Sequence, residues 1–415
     1  MDSDAELLLG TYQQNQNTTI CAWNYHTGNV EHVYKSGGTA LPKTLCLIAS
    51  DYLLTAEEDK PLLHIWPVNS QEQIKNIRFV LPDVVNSIDI DSYNNYIAAA
   101  IGLKLYVWHL NSGRLINILQ KHYQPITCVK FSSDSSFILA GGQDGMLVGY
   151  KLENVVSYTN SYVSQKNVGE CEPLYTKMDH SAQITHIHVG TFGRKSKFAT
   201  TSNDCTCRIY MIQNGTLLLT LILNDPLSYV LMDATCWIIY IGTKKGSIQR
   251  VNLRNPPRSL EYHIDQAYKD EFSGHQRSVT CMDLNQTNLT LASGSEDGFI
   301  ILWDVATKNI LRKIERSGSI TNLQFVLKHM NFTTQSLKTN IILQPLQKNV
   351  DTNMRNFVVY ANPNQVVFDD EVDKLSEESV PSETLENAQT QINDLKIINK
   401  QLYDAFIKMA KKYNS

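Results

Sequence analysis

Seven β-rich segments, each ending on an aromatic or apolar residue, constrain the fold of this 415-residue chain more than any other feature. The seven end residues are Trp23, Trp66, Trp108, Tyr150, Tyr210, Val251 and Trp303. Successive members are 43, 42, 42, 60, 41 and 52 residues apart. A four-stranded propeller blade takes about 40 to 45 residues. The spacing therefore predicts an all-β, seven-bladed β-propeller with two loop insertions, near Glu153 to Tyr175 and near Arg254 to Phe272.

The last of the seven units has the most complete pattern. Gly274-His275 opens it, two predicted strands follow, Glu296-Asp297-Gly298 forms a turn, and Trp303-Asp304 closes it. This pattern resembles the WD repeat. The resemblance implies a buried hydrogen-bonded tetrad that fixes the register of the blade. Its members would be His275, Ser293, Asp297 and Trp303. Weaker copies of the repeat span Pro125 to Tyr150 and His180 to Tyr210.

The chemistry of these residues favours a structural role over catalysis. A set of His, Asp and Ser also occurs in hydrolases, but here it recurs at repeat spacing inside strands and turns. The sequence has no nucleophile elbow, phosphate-binding loop or dinucleotide fingerprint. We therefore expect no enzymatic activity and no cofactor. Cys205 and Cys207 are spaced closely enough to suggest a metal site, but they have no second cysteine pair nearby, and His186 and His188 fall in another predicted strand. We expect no bound metal.

The two ends of the predicted ring supply complementary strands. Leu7 to Thr11 and Thr19 to Trp23 provide two strands before the first unit ends. We expect Asn309 to Ile314 and Ser319 to Phe325 to complete that blade, because such a clasp removes exposed sheet edges. The propeller domain is assigned to residues 1–367. Within it, His329 to Val367 is expected to pack outside the ring, with a strand-like Thr339 to Leu343 and an apolar Phe357 to Tyr360.

Residues 368–382 have the composition of a solvated linker. Asp369 to Glu386 carries eight acidic residues against Lys374 alone, and Pro381 interrupts the segment. The alternative is an acidic segment that binds a basic partner. The formal net charge of the chain is −4, and residues 1–368 sum to zero, so the global charge does not indicate nucleic-acid binding.

Residues 383–415 show a heptad pattern typical of a coiled-coil helix. Alternating a and d positions are occupied by Leu385, Ala388, Ile392, Leu395, Asn399, Leu402, Phe406 and Met409. A single Asn at an a position favours a parallel pair in fixed register. We therefore predict homodimerisation through this helix. The alternative is an amphipathic helix that lies on its own propeller or in the groove of a partner.

The sequence predicts neither export nor a membrane span. The start, Met1 to Glu6, is acidic and lacks the basic and apolar segments of a secretory signal. The most apolar segment, Leu217 to Leu223, is interrupted by Asn224-Asp225-Pro226 and is far shorter than the roughly 20 residues that a bilayer requires. Eight cysteines, several in apolar runs, suit a reducing compartment. We expect an intracellular protein with no membrane partner.

Several segments resemble the family of WD-repeat-containing protein 18. They are Asp51-Tyr52-Leu53-Leu54, His122-Tyr123-Gln124, Asp134-Ser135-Ser136-Phe137, Leu217-Leu218-Leu219 and the segment Leu395 to Asp404. Pro125, Tyr150 and Val251 depart from the repeat consensus. The resemblance implies a nuclear protein, nucleolar and nucleoplasmic, that joins helical-repeat scaffold subunits and dimerises through its terminal helix. It also implies a role in removing the second internal transcribed spacer from pre-60S particles and in docking the AAA ATPase midasin.

Two alternatives stay open at the level of sequence. A propeller can also recognise substrates or chromatin, as a ubiquitin-ligase adaptor or histone reader, and fungal relatives link the family to replication licensing. Direct contact with ribosomal RNA would use Arg194, Lys195 and Lys197, or Lys244 and Lys245, although clusters of this kind are often only a solvated face.

Overall fold

The computed structural model describes residues 6–13, 18–74, 77–157, 171–254, 259–264 and 270–349. These residues form short strands joined by tight turns. The first fourteen strands are β1 (Glu6–Tyr12), β2 (Thr18–Trp23), β3 (Val30–Lys35), β4 (Cys46–Ile48), β5 (Tyr52–Ala56), β6 (Leu62–Pro67), β7 (Phe79–Val80), β8 (Val85–Ile90), β9 (Tyr96–Ile101), β10 (Lys104–His109), β11 (Leu115–Gln120), β12 (Ile126–Phe131), β13 (Phe137–Gly142) and β14 (Leu147–Lys151). The others are β15 (Tyr175–Lys177), β16 (Ile184–Val189), β17 (Lys197–Ser202), β18 (Thr206–Met211), β19 (Leu217–Ile222), β20 (Leu227–Met232), β21 (Ile238–Thr243), β22 (Ser247–Asn252), β23 (Glu261–His263), β24 (Glu271–Ser273), β25 (Val279–Leu284), β26 (Thr290–Ser295), β27 (Phe299–Asp304), β28 (Ile310–Glu315) and β29 (Ile320–Leu327).

Within the described ranges the strands form seven sheets, which are the seven predicted blades; neighbouring strands are antiparallel except for β19 and β23. Blade 1 has the order β29-β1-β2-β3 from the centre outward, blade 2 is β4 to β7, blade 3 is β8 to β11, and blade 4 is β12 to β15. Blade 5 is β16 to β19 with β23 as a fifth strand, blade 6 is β20-β21-β22-β24, and blade 7 is β25 to β28. The prediction of a seven-bladed β-propeller is confirmed.

The residues that marked the repeat in the sequence occupy one structural position. Each of the seven lies in the last two residues of the third strand of its blade, from Trp23 in β2 to Trp303 in β27. The four Trp members are almost fully buried. The repeat is visible in the sequence because six of the seven blades bury a large aromatic side chain at this position, whereas blade 6 has the smaller, partly buried Val251.

The core consists of seven apolar clusters, each between two adjacent blades. Successive side chains of a strand point to opposite faces of its sheet, so an inner strand of a propeller must be apolar on both faces. In β1, Leu7 and Leu9 pack against blade 2, whereas Leu8 packs against blade 7. In β9, Ile97 and Ala99 face blade 2, and Ala98 and Ala100 face blade 4. The continuous apolar runs of the sequence follow from this two-sided packing.

One strand, rather than the two that the sequence analysis predicted, closes the ring. Strand β29 pairs with β1 from Glu6↔Leu327 to Tyr12↔Ile320 and becomes the innermost strand of blade 1. The segment near Asn309 to Ile314 forms β28, which pairs with β27 as the outer strand of blade 7. Blade 1 takes its outer strand from β3 instead. The prediction counted the strands available near the two ends of the ring. Such a count does not show whether β28 pairs with blade 7 or with blade 1.

The two loop insertions have defined ends. The first contains helix α1 (Leu152–Ser157) and returns as β15 at the edge of blade 4. The second supplies β23, which runs parallel to β19 on the outside of blade 5, and then β24, the outer strand of blade 6. None of the helices among the described residues has the length and apolarity that crossing a bilayer requires.

Residues 329–349 run without strands over the outside of blades 2 and 3. The Asp51 carboxylate, which is fully buried, accepts hydrogen bonds from the Asn331 side chain (2.7 Å) and from the backbone N–H of Asn340. Further along, the Trp108 indole N–H donates to the Gln347 carbonyl (2.7 Å). The predicted strand near Thr339 to Leu343 is therefore an irregular segment that packs on the ring. Phe357 to Tyr360 lies outside the described residues.

Candidate functional site

The structure brings His275, Ser293, Asp297 and Trp303 into one buried hydrogen-bonded chain in blade 7. His275 Nδ1 lies 3.1 Å from the Asp297 carboxylate, and His275 Nε2 lies 2.8 Å from Ser293 Oγ. The Trp303 indole N–H donates to the same Oγ at 2.8 Å. The chain links the loop before β25, the second strand, the following turn and the third strand. This is the tetrad that the WD-repeat resemblance implied, and each member occupies a turn or strand of the blade frame.

The ionisation of the tetrad follows from its surroundings. Burial lowers the pKa of His275, so the ring is neutral at pH 7. Burial opposes ionisation of Asp297, but hydrogen bonds from the backbone N–H groups of Gln276 and Phe299, together with His275, outweigh it and hold the pKa of that carboxyl below its usual value. Because a carboxylate can only accept, Nδ1 of His275 carries the proton, and Nε2 accepts the Ser293 hydroxyl hydrogen.

Blades 5 and 4 each repeat part of this arrangement; in blade 5, Tyr210 stands where blade 7 has Trp303, and its hydroxyl donates to Asp179 instead. In blade 5, His180 contacts Asp204 at 2.9 Å and Thr200 at 2.8 Å. In blade 4, His122 Nδ1 lies 3.4 Å from Asp144, but Ala140 stands where blade 7 has Ser293. The buried Nε2 of His122 has no hydrogen-bond partner. Because Ala140 has no hydroxyl, His122 Nε2 is left as an unsatisfied polar atom inside blade 4.

The central channel is a second polar site. It forms a cavity of about 250 Å³ lined by the innermost strands, and its charged and polar residues include Lys43, Asp89, Lys130, His186, His188 and Asp283. Lys130 Nζ pairs with the Asp89 carboxylate at 2.8 Å. From blade 2, Lys43 reaches across the channel and donates to the carbonyl oxygens of Thr127 in blade 4 and Thr185 in blade 5. Lys43 therefore connects blades that are not adjacent in the ring, whereas the Lys130–Asp89 pair joins the adjacent blades 3 and 4.

Side chains of the channel also link the inner strands of adjacent blades at three places. The Asp89 carboxylate of β8 accepts the Phe131 N–H of β12 at 2.7 Å, and the Asp283 carboxylate of β25 accepts the Phe325 N–H of β29 at 2.6 Å. In β16, His188 Nδ1 accepts the Met232 N–H of β20 at 3.3 Å. Asp89, Asp283 and Lys130 were not predicted as functional residues from the sequence. The two aspartates have a recognisable signal, because Asp-Ile in β8 and Asp-Leu in β25 each precede a Phe by 42 residues. Lys130 has none, since Gln324 stands at the equivalent position.

The histidines of the channel are neutral. Burial lowers the pKa of His188 to about 3, and burial also places the pKa of His186 well below its usual value. The His186 ring stacks on Tyr229 with centroids 3.7 Å apart. Among the described residues, no group of three or more His, Cys, Asp or Glu side chains is placed to hold a metal ion. Cys207 is fully buried, and burial raises the pKa of its thiol.

The two predicted basic clusters lie at opposite ends of the blades. Arg194, Lys195 and Lys197 belong to the loop between the first and second strands of blade 5 and to the start of β17. Lys244 and Lys245 lie in the turn between β21 and β22, at the other end of the sheet, and Lys245 pairs with Asp225. They cannot form one continuous surface. The predicted dimerisation residues, Leu385 to Met409, lie outside the described residues.

Comparison with known proteins gives matches over most of the chain. The Vps8 beta-propeller family model matches residues 228–342, and the WD domain, G-beta repeat, matches residues 113–148. WD repeat-containing protein 18 of Danio rerio is 28% identical over 328 residues, and that of Rattus norvegicus is 29% identical over 330. Both alignments cover 79% of this chain and 74% of the relative. Pre-rRNA-processing protein crb3/ipi3 of Schizosaccharomyces pombe is 23% identical over 362 residues, which is 80% of each chain.

Proposed function

Because the chain belongs to the family of WD repeat-containing protein 18, we propose that it is a non-catalytic scaffold subunit of a nuclear pre-rRNA-processing complex. The observation that carries the proposal is the similarity, over 80% of the chain, to a fission-yeast protein named for pre-rRNA processing. In this proposal the complex acts on internal transcribed spacer 2 and supports assembly of the large ribosomal subunit.

The architecture supports a role in holding partners together. Every blade packs against both neighbours through an apolar cluster, so the ring is a rigid body with separate end and rim surfaces. On the rim, Val30 of blade 1 and Ile310 and Leu311 of blade 7 are large apolar side chains that are 42%, 47% and 59% exposed. Val30 lies on the outer strand of blade 1, and Ile310 and Leu311 lie on the outer strand of blade 7. We assign the contact with the helical-repeat subunits, which we propose as partners, to these exposed outer-strand positions.

The proposal includes two further contacts. Homodimerisation through residues 383–415 would present each propeller surface twice and strengthen binding by avidity. Docking of the AAA ATPase midasin on the pre-60S particle would use a surface of the assembled complex. Both contacts rest on the heptad pattern and the family resemblance.

Affinity purification of the intact protein from nuclear extract tests the proposal. We expect large-subunit assembly factors and precursor RNA that still contains the spacer. Ile310→Glu combined with Leu311→Glu should reduce recovery of helical-repeat subunits, whereas Leu218→Glu, on β19 of blade 5, should not. Recovery of a ubiquitin-ligase or chromatin complex without assembly factors would overturn the scaffold function and favour a recognition propeller.

A further inference from the structure

A cleft of about 250 Å³ opens at the loop end of blades 5 and 6. We call it the aromatic–basic cleft, and it is lined by Phe192, Lys195, Lys197, Thr235, Cys236 and Trp237. We propose that this cleft binds single-stranded RNA, with an unpaired base against its aromatic rings and the adjacent phosphates at its lysines.

The aromatic side chains of the cleft are unusually exposed. Phe192 is 59% and Trp237 is 47% exposed, although each ring comes from a short loop next to a fully packed strand. The guanidinium carbon of Arg254 lies over the Trp237 ring, 4.6 Å from its centroid. Stacking of a base on an aromatic ring is tolerant of sequence, and Arg adds a cation–π contribution. The two rings therefore provide flat apolar surfaces that a splayed base could cover.

The charge around the rings complements a phosphate backbone. Lys195 and Lys197 line the cleft, Arg194 is exposed beside them, and the lining contains no carboxylate. The nearest acidic residue of the Trp237 loop, Asp233, is almost buried and its carboxylate is occupied by the backbone N–H groups of Trp237 (2.8 Å) and Ile238 (2.9 Å). Outside the lining, Asp134 lies beside Gly193, and Glu153 interacts electrostatically with Arg194. We therefore assign the anionic ligand to the two lining cations, Lys195 and Lys197.

The loops that form the cleft are held in place before any ligand arrives. The Thr191 hydroxyl in the blade 5 loop donates to the Ala234 carbonyl in the blade 6 loop at 2.7 Å. The Gly193 N–H donates to Ser133 Oγ of blade 4 at 3.2 Å. Fixed loops lose little conformational entropy on binding. The cleft can thus contribute affinity even though it touches only one or two nucleotides.

The combination of rings and cations favours single-stranded RNA over other occupants. A duplex hides the faces of its bases in the stack, so exposed rings would have nothing to stack on. A peptide that filled the cleft would need both apolar side chains on the rings and acidic side chains at the lysines, whereas each nucleotide carries a flat base and a phosphate together. The inference rests on the proposed function for the source of the RNA, since precursor rRNA contains single-stranded spacer segments.

Binding of a fluorescent 20-nucleotide oligouridine to the full chain tests the cleft directly, without any partner protein. Trp237→Ala and Phe192→Ala should each weaken binding by roughly five- to tenfold, because they remove a stacking surface. Lys195→Glu with Lys197→Glu should also lower the slope of log affinity against log salt by about 0.7 for each phosphate that the variant no longer neutralises. Matched controls at the opposite end of the blades are Tyr123→Ala and the pair Lys121→Glu with Lys244→Glu, which should bind like the natural protein.

The outcomes separate this inference from the proposed function. If the cleft variants fold normally and bind the oligouridine as the natural protein does, the cleft is not an RNA site, whatever complex the protein joins. If Trp237→Ala leaves RNA binding unchanged but removes one co-purifying protein, the cleft docks a protein and the inference is wrong. Loss of RNA binding in Trp237→Ala, with co-purifying assembly factors unchanged, would support it.

Discussion

The carboxylate of Asp283 in blade 7 accepts a 2.6 Å hydrogen bond from the backbone N–H of Phe325, in the strand that closes the ring. The same relationship joins Asp89 of blade 3 to Phe131 of blade 4 at 2.7 Å. Asp89 also pairs with Lys130, whereas the residue before Phe325 is Gln324, whose Oε1 is buried without a hydrogen-bond partner. At the contact that closes the ring, the Asp283 carboxylate therefore has no direct ion pair like the one between Asp89 and Lys130.

The first prediction concerns pH. Burial raises the pKa of Asp283 to about 7, against the influence of Lys130 and together with that of Glu6. An unfolded Asp has a pKa of about 3.9. Between about pH 4 and about pH 7 the folded protein therefore binds more protons than the unfolded protein. Its free energy of unfolding falls as the pH rises through this range. Asp283→Asn keeps an acceptor oxygen but does not titrate. Urea unfolding at about pH 5 and about pH 8 should show a smaller loss in this variant.

Asp59→Asn is the control for that measurement, because Asp59 is exposed and its backbone φ of 60° suits Asn. It should lose as much stability with rising pH as the natural protein. An Asp283→Asn protein with an unchanged pH dependence would mean that Asp283 ionises normally in the folded state.

The second prediction supplies the missing cation. Gln324→Lys should place an ammonium beside Asp283, as Lys130 lies beside Asp89, and should lower the pKa of Asp283. We expect a gain of about 1 kcal/mol in the free energy of unfolding at about pH 8, and less at about pH 5, where Asp283 is protonated. Gln324→Met removes the unsatisfied oxygen without adding charge. Equal gains for Lys and Met at both pH values would rule out an ion pair.

The third prediction tests the tetrad. Ser293→Ala leaves the Trp303 N–H and His275 Nε2 buried without partners, which should lower the free energy of unfolding by about 2 to 3 kcal/mol. Ser293→Thr should cost much less, because blade 5 already uses Thr200 at this position. Chemical denaturation of the natural protein and the two variants measures these differences. Equal stability of the Ala and Thr variants would contradict a hydrogen-bonding role for the Ser293 hydroxyl.

The fourth prediction is a stabilising change in blade 4. Ala140→Ser should place a hydroxyl near His122 Nε2, which has no partner, and raise the free energy of unfolding by about 1 kcal/mol. Ala99→Ser is the matched control, because Ala99 is equally buried at the same register position of blade 3. Leu81 stands four residues before the inner strand of that blade, where blade 4 has His122. A rise in the melting temperature of both variants, or of neither, would refute the assignment of Ala140 to the hydroxyl position.

The fifth prediction addresses self-association. Leu395→Asp with Leu402→Asp places charges at two d positions of the predicted coiled coil, where burial would be costly. Light scattering should give the mass of a dimer for the natural protein and of a monomer for the variant, with the β-sheet circular dichroism unchanged. Lys400→Asp with Gln401→Asp lies off the a and d positions and should stay dimeric. A variant at Leu395 and Leu402 that remains dimeric would exclude this helix as the interface.

The parts of the fold that repeat could be predicted, and the parts that occur once could not. Trp66, Trp108 and Trp303 mark equivalent positions in three blades. Each of them therefore supported the prediction that the other two also end a blade's third strand. Strand β23 and residues 329–349 have no counterpart in other blades, and they are held by side-chain contacts such as that of Asp51 with Asn331. No local pattern encodes such contacts.

The candidate functional residues also divide into those that could be predicted from a repeated pattern and those that could not. The tetrad follows a known spacing, so His275 and Asp297 could be selected from the sequence. The aromatic–basic cleft depends on where two loops of different blades meet, and an exposed Trp237 has the same local sequence signal as a buried one. Lys195 and Lys197 were selected as a basic cluster, but only the structure places rings beside them.

Closure of blade 1 by β29 also sets an order of events during synthesis. A ribosome that has released residues up to 319 has produced every strand of blades 2 to 7 and three strands of blade 1. Strand β1 keeps an unpaired inner edge until β29 emerges about 300 residues later. An unpaired edge can pair with another chain, so this interval exposes the nascent protein to intermolecular strand pairing. A chain that stopped before Ile320 would keep that edge open after synthesis had ended.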